Sequence, residues 1–174
     1  MKRLPHKNQI LPVYAVGVTI LYTWTIIITL RDTLFNWVLY FNSVEILILF
    51  AYLMVGALLE SLCLIVALTI IGWALPRNIF SEKFVSRGVI LTSTFLCSIM
   101  YYYTQTPLGE ALMDIYKWGI FFAGSTFIFI LIAEFFRPVE RVLELIADRS
   151  QIFLYIYLPI SFLSIIVIVI RNIG

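Results

Sequence analysis

The sequence predicts an all-α integral membrane protein: a bundle of five transmembrane helices plus a short amphipathic cytosolic helix, forming a single transmembrane domain over residues 1–174. Three observations predict it. Hydrophobic residues make up 62% of the 174 and charged residues 13%, with a mean hydropathy of +1.01, which is more apolar surface than a soluble domain of this length can bury. The apolar residues come in five long runs, and about 20 helical residues suffice to cross a hydrocarbon core of roughly 30 Å. The charges gather between those runs.

The first run, Leu11 to Leu30, follows the basic MKRLPHK and stops at Arg31-Asp32. It is longer than the apolar stretch of a signal peptide and has no small-x-small cleavage site, so it is expected to remain as a span. Thr33 to Glu45 is too short to cross, and its Phe35, Trp37, Tyr40 and Phe41 suit the headgroup zone. Asn42-Ser-Val-Glu45 has the spacing of a capping box, which assigns Glu45 to backbone donors at the start of the second span, Ile46 to Leu75.

The third span, Gly88 to Tyr103, is expected to gain a cytosolic first turn with Ser81 as its cap. Thr106-Pro107 reads as a cap and first turn before PLGEALMDIYK, where Glu110 and Asp114, one turn apart, suit a solvated face. The fourth span is Tyr116 to Phe136, with Glu134 expected to pair with Arg137 three residues on.

Residues 138–150 form the amphipathic helix: Val139, Val142, Leu143, Ile146 and Ala147 share one face, and Glu140, Arg141, Glu144, Asp148 and Arg149 cover the other. It is expected to lie along the membrane surface or under the bundle, or to dock a partner through Val139, Val142, Leu143 and Ile146. Its acids and bases balance, so charge alone does not hold it to anionic lipid. The fifth span, Ile152 to Ile170, carries Pro159, which predicts a kink.

Orientation follows from the basic residues. Lys2, Arg3, Lys7, Arg77, Lys83, Arg87, Arg137, Arg141 and Arg149 fall on the N-terminal side of the spans, against Arg31, Lys117 and Arg171 on the other. The N-terminus is therefore expected in the cytosol and the C-terminus outside, with a prokaryotic plasma membrane as the expected location.

The functional candidate is Glu60, an acid inside the second span. Gly56, Ala57, Cys63, Ala67 and Ala74 share its side of the helix, and small residues mark close helix packing, so Glu60 is expected to point into the bundle. About 22 Å of rise from Leu75 places it in the outer third of the core. Its expected partners are Arg31 and Lys117 from the outer ends of neighbouring spans. Hydroxyls of Tyr22, Thr23, Ser98 and Tyr101 are further candidates, with Thr94, Ser98, Tyr101 and Gln105 forming a polar stripe to face it. Such an acid serves as helix glue, as a proton or cation carrier, or as a lipid or small-ligand site.

The remaining inventory is thin. His6, the one histidine, sits in the basic tail, and Cys63 and Cys97 lie in apolar runs without CxxC spacing. There is no GxSxG, no HExxH and no glycine-rich phosphate loop. No catalytic residues, metal or cofactor are expected, and a net charge of +2 with pI near 8.6 gives no reason to expect nucleic acid. The chain is expected to act as a structural or accessory subunit of a membrane assembly, in contact with membrane lipid and with a membrane-protein partner or further copies of itself. The alternative is a transporter or channel component that moves a proton or ion through Glu60.

Overall fold

The computed structural model of the chain describes residues 7–74, 83–105 and 115–173, and every element among them is helical. Helix α1 (Lys7–Ile28) runs into a π-helical turn (Thr29–Thr33) and a short helix α2 (Leu34–Tyr40). Helices α3 (Ser43–Ala74), α4 (Phe84–Gln105), α5 (Ile115–Phe135) and α6 (Arg137–Ile173) follow. Five helices are long and apolar enough to cross a membrane, as the run lengths predict. Ser81, Thr106, Pro107, Glu110 and Asp114, to which caps or faces were assigned from sequence, lie outside the described residues.

Helix α1 is the hub, packed against α3, α4 and α6. Its apolar residues run right round the helix, and Val13, Tyr14, Ala15, Val16, Val18, Leu21 and Tyr22 are all buried. Two glycines set the approach distances. A Cβ on Gly17 would lie 2.5 Å from Leu64 Cδ2 of α3 and 3.1 Å from Thr92 Cγ2 of α4, and one on Gly88 of α4 would lie 3.0 Å from Val13 Cγ2. The missing side chains let three helices meet along one line. Helix α5 is peripheral, seated chiefly on α4 through the ring contacts of Phe95 with Trp118 and Phe122.

The start of α3 has the Glu45 half of the capping box that its spacing predicts, with the Asn42 side chain on the first helical N–H and not the third. The Asn42 backbone N–H donates to Glu45 Oε2 at 2.9 Å, the Ser43 N–H donates to Asn42 Oδ1 at 2.7 Å, and the Asn42 carbonyl accepts the first helical bond from Ile46.

One expectation is corrected. The amphipathic stretch at 138–150 is not a separate helix but the first part of α6, which continues unbroken from Arg137 to Ile173, through Pro159. Nothing in Ala147-Asp-Arg-Ser-Gln151 breaks a helix, and the Ser150 hydroxyl donates to the Ile146 carbonyl one turn back. The buried side of α6 also continues across the junction: Leu143, Ala147, Ser150, Leu154, Tyr157, Ser161 and Ser164 recur at alternating steps of four and three. That step keeps the inward residues close to one face of a helix of about 55 Å, longer than a hydrocarbon core of roughly 30 Å.

Candidate functional site

Two polar constructions and one isolated acid stand out. The first construction ties three helices, toward the C-terminal ends of α1 and α6 and the N-terminal half of α3. The Tyr22 hydroxyl of α1 donates to Ser161 Oγ of α6 at 2.6 Å, and Ser161 Oγ donates onward to the Met54 carbonyl of α3 at 3.4 Å. Tyr22 and Ser161 are fully buried, and the Tyr22 ring stacks on Tyr157 with centroids 4.7 Å apart. One turn away Thr23 Oγ1 lies 3.5 Å from the Tyr157 hydroxyl, and nearer the basic end Tyr14 and Ser61 lie 3.3 Å apart. These hydroxyls satisfy one another, which is how a low-dielectric interior tolerates them.

The second construction is ionic and closes the basic end. Arg87 Nη2 of α4 donates to both carboxylate oxygens of Glu134 on α5, at 3.0 and 2.9 Å. Lys83 Nζ donates to Glu140 Oε2 of α6 at 3.1 Å and stands 3.9 Å from Glu134 Oε1. Glu134 therefore pairs with Arg87 and Lys83, not with Arg137 as the local spacing suggests. The cluster joins three helices and adds an ionic tie to the ring contacts that seat α5 on α4. Arg87→Met is expected to lower stability by about 1 kcal/mol, a modest figure because the Glu134 side chain is 44% exposed and solvent screens the pair. The Arg87→Glu/Glu134→Arg exchange should recover part of that loss, and a double-mutant cycle read by denaturant titration in micelles checks both.

Glu60 is the isolated acid, and its expected direction is corrected. The buried side of α3 carries Ala51, Met54, Ala57, Ser61 and Leu68, whereas Glu60 is exposed on a different face with Leu59, Cys63 and Ala67. The small residues around it belong to two stripes: Ala57 goes inward with Ser61, and Gly56, Cys63 and Ala67 flank Glu60 on the outside. Among the described residues Glu60 has no hydrogen-bond or ion-pair partner. It lies fourteen residues from Ala74 and seventeen from Ser43, near the middle of α3.

The residues expected around Glu60 are dispersed. Gly17 and Leu64 share a level, so Arg31 stands ~15 Å further along the bundle axis than Glu60. Lys117 lies on α5, whereas α3 packs on α1 and α6; its Nζ sits 5.9 Å from the Tyr116 ring centroid. Ser98 is buried on α4 and donates to the Thr94 carbonyl, and exposed Tyr101 stacks against Phe121 of α5. Thr94 itself meets Thr126 of α5 at 2.9 Å. Thr94 and Tyr101 of the polar stripe thus meet α5. Tyr22 and Thr23 turn to α6.

The proposed docking face at 138–150 is divided. Leu143 packs against the core and Val139 is half-buried, while Val142 and Ile146 are exposed. Among the described residues no three His, Cys, Asp or Glu side chains gather as metal ligands. Compared with known proteins, the chain matches no family model, no curated protein and no solved structure.

Proposed function

We propose that this chain is a structural or accessory subunit of a membrane assembly. The observation that carries the reading is Glu60: an acid halfway along an apolar helix, turned away from its own bundle. The polar groups inside the bundle support the same reading, because they join helices to each other. The transporter reading has less support, since Ser98, Tyr101, Arg31 and Lys117 do not line a common space with Glu60.

In this reading the basic end of the bundle faces the cytosol, as the bias of Lys and Arg favours, and the membrane is a prokaryotic plasma membrane. Extraction in a mild detergent followed by native mass measurement tests the proposal. The expected particle is heavier than the 20.1 kDa chain with its bound lipid and detergent removed. A particle of one chain alone would overturn the proposal.

A further inference from the structure

We infer that the Gly56–Glu60–Cys63–Ala67 face of α3 receives a transmembrane helix of a different protein, one that carries a lysine or arginine at the depth of Glu60. The inference rests on the subunit reading and adds the chemistry of the partner. A carboxylate exposed to hydrocarbon is costly, and acids at such depth pair with bases, with other polar groups or with protons. Among the described residues Glu60 has no such base beside it. Eleven of the twelve basic residues flank the apolar runs and Lys117 is the second residue of its run, so a second copy of this chain is not expected to bring a cation to the depth of Glu60 either. Charge complementarity therefore selects a partner unlike this chain.

The surroundings of Glu60 suit close approach of another backbone. Gly17 and Gly88 are small because Leu64, Thr92 and Val13 press on them, but a Cβ on Gly56 would meet nothing within 4 Å. The fold of this chain does not require that glycine. Cys63 and Ala67, one and two turns along the same face, are exposed as well, leaving a shallow strip beside the carboxylate. Gly119 and Gly124 on α5 are equally open, yet no acid lies beside them at that depth.

The test uses the full chain in lipid bilayers and a synthetic oligo-leucine transmembrane peptide with one central lysine as the probe, labelled for energy transfer. Association with the lysine peptide is expected to be at least tenfold tighter than with the all-leucine peptide. Glu60→Gln should abolish that difference. Gly56→Leu should weaken association without lowering the thermal stability of the chain, because a Cβ at that position meets no atom within 4 Å. Equal affinity for the two peptides would overturn the inference. So would Cys63-to-Cys63 cross-linking between copies that depends on Glu60 and persists in excess lysine peptide. Native mass measurement of the Glu60→Gln variant separates the two ideas: an assembly that persists intact leaves the subunit reading standing and removes this surface from it, and loss of the partner supports both.

Discussion

Tyr22→Ala is expected to destabilise the bundle by about 3 kcal/mol, the largest effect of any single truncation in the described core. Tyr22 is fully buried, and its ring fills the space between α1 and α6 against Tyr157. In a membrane the separated helices remain in an apolar medium, so the loss comes from dispersion contacts and from the cavity, and not from transfer out of water. The hydroxyl adds a smaller part. Tyr22→Phe keeps the ring and removes only the donor to Ser161, which retains the Met54 carbonyl as acceptor, and should cost about 1 kcal/mol or less. Unfolding titrations in mixed micelles of the two variants check the ratio. Equal losses would mean that the hydroxyl relay, and not ring packing, holds the three helices.

Features set by local residues were legible in the sequence. Run length and composition mark the five apolar helices, and the Asn42 to Glu45 box is a contact between neighbours in the chain. The direction of Glu60 was not legible, for a physical reason. In a soluble helix the polar side identifies the outside, but α3 is apolar all round, and lipid and bundle interior select the same residues. Small residues on two adjoining faces then read as one.

The ionic cluster was hidden by sequence distance. Arg87 and Glu134 are 47 positions apart and Lys83 and Glu140 are 57, whereas Arg137 stands only three residues from Glu134 and offers a plausible local partner. The continuity of α6 did leave a signal. The steps from Leu143 to Ser164 alternate four and three without a slip, even though the surrounding residues change from charged to apolar at Ser150. What changes at Ser150 is the solvent expected around the helix, and not the face it turns to α1 and α3.

The same substitution at two glycines should have opposite outcomes, and this comparison tests the architecture most directly. Gly17→Leu is expected to cost about 3 kcal/mol, because the new side chain must enter where its first carbon already lies 2.5 Å from Leu64 and 3.1 Å from Thr92. Gly17→Ala should be much milder: Leu64 Cδ2 is the far end of a flexible side chain, and alanine is preferred to glycine in a helix by about 1 kcal/mol. Gly56→Leu introduces the same leucine into open space and should leave the stability of the isolated chain unchanged or raise it. Denaturant titrations of all three variants decide the matter. If Gly17→Leu were tolerated, α1 could not be the helix on which α3 and α4 converge; if Gly56→Leu unfolded the chain, the outward face of α3 would have to be packed within the bundle, and Glu60 with it.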